Sequence, residues 1–186
     1  MKRIITLTVL LIALFIFTSC GFVKTTTHYK DSVMWGMSPD EVSEELGDLV
    51  VKKTGDYIIA EDDEREAVGV LASVLGGGEP VYKFTSDGKL YKIEFEVKDP
   101  WIDYEKFTDL VDAYTFDFEN LNVGEITKDE HSAEMYSEYC KASCNPDEYT
   151  EFRITYIKHY GFYDNMGSIT VSYCHEELDY NVLING

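Results

Sequence analysis

Basic side chains are scarce in this chain. Lys and Arg number 16 against 35 Asp and Glu, a formal net charge of -19 over 186 residues. So few cations offer little to a phosphate backbone, so no nucleic-acid partner is expected, and an anionic bilayer repels the body of the protein. Cysteine, histidine and proline are sparse as well, at four each by the sequence. That is too little cysteine for a disulfide-dense scaffold. The four histidines, His28, His131, His159 and His175, form no H-E-x-x-H pair, and no G-x-S-x-G elbow occurs. "GGG" at 76–78 lacks the Lys-Ser/Thr that completes a phosphate loop. "EDDERE" at 61–66 lacks the glycine and distant Glu of a calcium loop, and reads as a solvated turn. No catalytic residue, metal ligand or cofactor is assigned on this basis, and the chain is not read as an enzyme. A hydrolase remains a second alternative, because acidic pairs abound without a spacing that selects one.

Long apolar runs are missing too, with one exception. After Lys2 and Arg3, residues 4–17 read "IITLTVLLIALFIF". A span of the hydrocarbon core needs about 20 apolar residues, so this run suits the central region of an export signal. The small residues Thr18 and Ser19 follow, then Cys20 and Gly21. "FTSC" resembles the processing box of bacterial lipoproteins, with Phe17 in place of the usual Leu. The resemblance implies removal of residues 1–19 as a signal peptide and acylation of the Cys20 sulfur. An ordinary secretory signal and an uncleaved anchor are the alternatives. Membrane lipid then becomes a partner through Cys20, and two or more acyl chains make attachment stable. The domain would sit in the bacterial cell envelope, outside the cytoplasm. Residues 20–33, "GFVKTTTHYKDSV" after the cysteine, show little core-forming pattern and read as a lipidated tether. Residues 34–186 read as the folded domain.

Within that domain "WGMSPDEVSEELG", residues 35–47, carries the best local signal. Ser38 and Glu41 form a capping box, Pro39 occupies the first helical position, and Met37 and Val42 are placed as a hydrophobic staple. Gly47 closes the helix. Trp35 is expected in the core. Residues 49–60 read as a weak hairpin turning near Thr54-Gly55-Asp56, and 67–75 as strand or buried helix. Residues 80–97, "PVYKFTSDGKLYKIEFEV", read as a hairpin turning at Asp87-Gly88, apolar on one face and polar on the other. Asp99-Pro100 breaks that strand. Asp103 caps a helix striped by Phe107, Leu110, Val111 and Tyr114. A further capping-box pattern, Thr127 and Glu130, predicts a helix through Met135, Tyr136 and Tyr139 that stops at Asn145-Pro146. "FRITYIK" at 152–158 and "SITVSYC" at 168–174 read as a last pair of strands. Their connector, "HYGFYDNMG", serves as a binding loop or as simple turn chemistry. The class is α+β: an antiparallel sheet packed on one side by short helices, with two small lobes, 34–98 and 99–186, as the alternative to one sheet.

The "WGMSPDEVSEELG" helix followed by "YKFTSDGKLYKIEFEV" resembles a module of small exported bacterial lipoproteins. That group is similar in architecture to the beta-lactamase inhibitor protein and to the small lipoprotein of the outer-membrane assembly machinery. Trp35, Met37, Ser38, Glu41, Gly47 and Gly88 are the structural residues of the motif. They speak for the fold rather than for an activity.

Beyond Cys20 stand Cys140, Cys144 and Cys174. Export permits disulfides, and one pair among the three is expected with its connectivity open. A zinc set of these cysteines with His175 is disfavoured, because neighbouring strand residues point to opposite faces. The expectation for function is a lipid-anchored module that binds a basic protein or supports an assembly, gripping through a concave sheet face and aromatic loops. A carrier of a small hydrophobic ligand is the first alternative.

Overall fold

The computed structural model of the chain describes residues 24–61, 79–121, 127–128, 132–133, 137–160 and 165–185. Cys20, the signal region and the ambiguous 67–75 segment lie outside them. One antiparallel sheet organises the rest. Its strands are β1 (Val50–Lys53), β2 (Tyr57–Ala60), β3 (Val81–Phe84), β4 (Leu90–Asp99), β5 (Thr127–Lys128), β6 (Ser132–Ala133), β7 (Ser137–Cys144), β8 (Thr150–Tyr160) and β9 (Asn165–His175). Their order is β1-β2-β3-β4-β9-β8-β7-β5, with β6 also on β7. The helices are α1 (Pro39–Leu46), α2 (Tyr104–Leu121) and α3 (Glu176–Asn185). The fold is therefore α+β with sheet predominating. The two-lobe alternative does not describe it. A division after residue 98 cuts β4, which pairs with β9 from Lys92↔Cys174 to Asp99↔Gly167 and joins both halves in one ladder.

Alternation sets the two faces of the sheet. Ile93 and Phe95 of β4, Ile169, Val171 and Tyr173 of β9, and Phe152, Ile154 and Tyr156 of β8 are buried on one side. The stripe read along α2, Phe107, Leu110, Val111 and Tyr114, is buried as well. Phe107 meets Tyr156 at 5.9 Å between ring centroids, and Tyr114 meets Phe152 at 4.8 Å. The remaining part of this face is covered by the segment that leads into α1. Tyr29 inserts between Phe95 (5.0 Å), Tyr173 (5.8 Å) and Tyr82 (6.2 Å).

That placement corrects the tether reading for residues 24–33. Thr27 and Val33 are fully buried, Thr26 bridges Met34, and the Thr27 hydroxyl donates to the Val33 carbonyl at 3.0 Å. The segment is a folded loop in which the Thr26 and Thr27 hydroxyls bond to its own backbone, so it packs without an apolar period. His28 holds φ 58° at its tip.

α1 is built as its sequence dictates. The Ser38 hydroxyl accepts from the Glu41 amide, the Glu41 carboxylate accepts from the Ser38 amide at 2.9 Å, Pro39 opens the helix, and Gly47 ends it at φ 56°. Val42 and Leu46 face inward. Gly88 supplies φ 76° in the β3–β4 turn. The helix expected from Thr127 to Asn145 is absent from 137–144, where β7 pairs with β8 in continuous register. Cys140, Ala142 and Cys144 point inward there, with Tyr139, Lys141 and Ser143 alternating between them. α2 runs on to Leu121.

The opposite face carries a lattice of ion pairs. Glu94 accepts Lys83 and Lys92, the latter at 2.9 Å, and Glu151 accepts Arg153 and Lys141, the latter at 3.3 Å. One end of this face is covered: Ser172 and Cys174 point outward in the β9 alternation yet are buried. α3 lies there, with Asp179 near enough to Lys92 and Cys174 to influence their ionisation. Helices thus pack on both sides of the sheet, which corrects the one-sided expectation.

Candidate functional site

Two ends of the sheet concentrate aromatic and polar side chains in contact with one another. The first lies where β4 and β8 begin and β9 ends. Thr25 accepts the Trp35 amide at 2.8 Å, and Gly36 donates to the Leu90 carbonyl at 3.0 Å. Trp35 is fully buried, as expected, and its indole N–H donates to the Thr150 hydroxyl at 2.9 Å. Its ring meets His175 edge-on at 6.2 Å, and His175 stacks on Tyr149 at 5.8 Å. Burial pushes the His175 pKa down from the ordinary imidazole value. Beside this group Asp147 takes His28 Nε2 at 2.7 Å on one oxygen. Its other oxygen accepts the amides of Tyr149 and Thr150, each at 2.7 Å. Burial opposes ionisation of Asp147, but these three donors outweigh it and hold the carboxyl below its usual range. The arrangement fastens the N-terminal loop to the β7–β8 turn. Sequence reading placed His28 in the tether and missed this pair, because its members are 119 positions apart.

The second end lies past β4, where the chain turns into α2. Trp101 is 84% exposed there, while Ile102 is buried beside it. The turn is held at several points. Asp99 accepts the Trp101 amide at 2.8 Å with its side chain and the Ile102 amide at 3.1 Å with its carbonyl. Lys158 donates to the Ile102 carbonyl at 2.9 Å. Asp103 accepts the Lys106 amide at 3.0 Å and caps α2. At the same end Glu138 receives the hydroxyls of Tyr156 at 2.8 Å and Tyr160 at 2.7 Å. Tyr160 is 41% exposed. The cue available in the sequence was a tryptophan directly after the strand-breaking Asp99-Pro100. Part of the aromatic connector, residues 161–164, lies outside the described residues.

The cysteine expectation is corrected. No disulfide joins Cys140, Cys144 or Cys174. The first two share one strand, so four residues at roughly 3.3 Å each separate them by about 13 Å, beyond the ~7 Å limit between Cα atoms. Cys174 points to the other face, with β8 intervening: Cys144 pairs with Phe152, which pairs with Tyr173. Burial pushes the Cys144 and Cys174 thiols up to about 11. Cys174 and His175 face opposite sides, so the zinc set is not assembled. Among the described residues no cluster of His, Cys, Asp or Glu is grouped to hold a metal.

The motif residues are brought together as structure. Trp35, Met37, Ser38 and Glu41 lie at the α1 end, and the β3–β4 turn touches them through Gly88 beside Pro39. Glu41 also pairs with Lys24; that ammonium and the Ser38 amide lower its pKa to about 2. The inner face of the sheet is covered by Tyr29, Trp35 and α2. No helix among the described residues is long and apolar enough to cross a membrane. In comparisons with known proteins, no family model, curated protein or solved structure matches the chain. The likeness of the "WGMSPDEVSEELG" module to exported lipoproteins thus rests on its own residues.

Proposed function

We propose that the chain is a lipid-anchored envelope protein whose acidic body binds a basic protein partner. The observation that carries this reading is the meeting of two facts at the N-terminus. A lipoprotein-like box ends at Cys20, and folded structure begins by Lys24, which pairs with Glu41 of α1. Four residues reach at most about 14 Å. An acylated Cys20 therefore holds the body itself close to the bilayer, rather than on a long leash. The full chain's net charge of -19, two units more negative once Lys2 and Arg3 leave with the signal, repels anionic headgroups and favours a cationic protein surface.

The carrier reading gains less support. The space between the sheet and α2 is occupied by Phe107, Tyr114, Phe152 and Tyr173, all buried, which a hydrophobic ligand would have to displace.

Mass spectrometry of the membrane-extracted protein tests the anchor. The expected result is a chain starting at acylated Cys20, and Cys20→Ala shifts the protein to the soluble fraction. An intact Met1, or an unmodified mature terminus, removes the reading. Retention of basic envelope proteins on the immobilised domain, weakened at high salt, tests the partner class. Salt-independent absence of binding counts against it.

A further inference from the structure

We infer that the Trp101 end of the sheet is the docking surface, and that its occupant is an arginine-bearing segment of a protein. This deepens the proposed function and rests on its basic-partner reading. Three observations lead to it.

Trp101 exposes 84% of its surface, whereas Trp35 exposes none. Large exposed aromatics are costly in water and are characteristic anchors of protein interfaces. The ring is also presented on a fixed support. Asp99, Lys158 and the Gly167–Ile102 contact hold the turn on both sides, so little ordering is left to be done on binding.

The charge around the ring selects the occupant. Asp99 and Asp103 flank Trp101 within two residues. Of the nearby cations, Lys98 pairs with Glu96 at 2.8 Å and Lys158 is engaged by the Ile102 carbonyl; Lys106, exposed on the first turn of α2, is the one that a cationic occupant must pass. Each of these carboxylates spends one oxygen on a backbone amide, Asp99 on Trp101 and Asp103 on Lys106, and an exposed indole in so acidic a stretch suits a guanidinium, which can stack on the ring while its N–H groups turn to the acids. Anionic headgroups are repelled by the same acids.

The position fits a partner away from the anchor. Thr25 contacts Trp35, Gly36 contacts Leu90, and β4 then runs to Asp99 before Trp101. Ten strand residues at roughly 3.3 Å place the ring about 30 Å from the end where the anchored segment enters.

The test uses the full acylated chain in vesicles, brominated phosphatidylglycerol without peptide for the quenching arm and neutral phosphatidylcholine for the peptide arm, with Trp101 fluorescence as readout. Trp35 is buried and serves as the internal background. The probes are a tetra-arginine peptide and a tetra-lysine peptide. The expected results are no quenching by the brominated lipid, tighter binding of the arginine peptide, and protection of Trp101 from acrylamide when it binds. Trp101→Ala should weaken the arginine peptide by about twofold to fivefold. Asp103→Asn, which retains the cap, should weaken it and flatten its salt dependence.

Lipid quenching of Trp101 would assign the surface to the membrane and overturn the inference. A dimer that Trp101→Ala dissociates would assign it to a second copy, with the same consequence. Binding that ignores Trp101→Ala but falls with Glu44→Gln and Glu45→Gln on α1 refutes this location and leaves the basic-partner reading standing. Absence of binding by either peptide at low salt removes both.

Discussion

Gly167→Ala tests whether the β4–α2 turn is held as described. Gly167 lies on the inner face of β9, opposite Lys158 and Asp99 in the ladder. A Cβ added there would stand 2.8 Å from the Ile102 Cβ and 3.0 Å from the Ile102 carbonyl carbon, and closer still to its oxygen. The obstacle is backbone, so no rotamer change relieves it. β9 is held on both sides, so the turn must move. Overpacking of this kind costs ~1–3 kcal/mol. Displacing the Ile102 carbonyl weakens its bond from Lys158, worth about 0.5–1.5 kcal/mol. Reduced freedom of the unfolded chain returns about 0.4–1 kcal/mol. The net is a loss of about 2 kcal/mol, which lowers Tm by roughly 4–8 °C in a chain of this size. Urea unfolding should show a reduced midpoint with an unchanged slope. Gly55→Ala is the control, because nothing lies within 4 Å of a Cβ there. A Gly167→Ala protein as stable as Gly55→Ala would show that the turn does not press on β9, and the account of a fixed Trp101 would fall with it.

Thr150→Val keeps the shape of β8 but strands the buried Trp35 N–H, so denaturant unfolding should report a loss of about 1–3 kcal/mol; a neutral result would mean that the 2.9 Å bond contributes nothing. Asp147 is held below its usual range by His28 and two amides, so its contribution is present above the unfolded carboxylate value. It is lost as pH falls through the folded one. Acid titration of Asp147→Asn should therefore show a shallower stability loss than wild type below about pH 4, and an unchanged slope would contradict the pairing. Cys140, Cys144 and Cys174 are buried, so a maleimide should label them only after unfolding. Rapid labelling of the native protein would be inconsistent with the packing. Ser38→Ala removes the α1 cap and should cost about 1 kcal/mol in chemical denaturation; no change would mean that Glu41 and Pro39 fix the helix start alone.

Where short-range chemistry decides the structure, the sequence was readable. Ser38, Pro39, Glu41 and Gly47 specify α1 almost atom by atom, and Asp87-Gly88 specifies its turn. The alternation of Ile93 and Phe95 with Lys92, Glu94 and Glu96 announces a sheet with one wet face. β7 was misread because its inward residues, Cys140, Ala142 and Cys144, are small and weakly apolar. Thr127, Glu130 and the helix-spaced Met135 and Tyr139 offered a louder false pattern. The period-2 alternation was nonetheless present in "SEYCKASC". Residues 24–33 were misread for a different reason. Their burial depends on threonine hydroxyls closing a loop, and on Tyr29 meeting Phe95 and Tyr173 from distant strands. No local pattern encodes that. The candidate surface was visible only as an isolated tryptophan after a proline, since its exposure is a property of the whole fold.

The strand order has a further consequence for biogenesis. β9 is made last among the strands, yet it takes the place between β4 and β8. A growing chain that stops short of Asn165 holds two separate ribbons with unmatched interior edges and no shared ladder. Contacts of such long separation form slowly, because chain closure must precede any gain. Cooperative folding thus waits for the C-terminal region. Truncation within β9 deletes the seam and exposes two sticky edges to association.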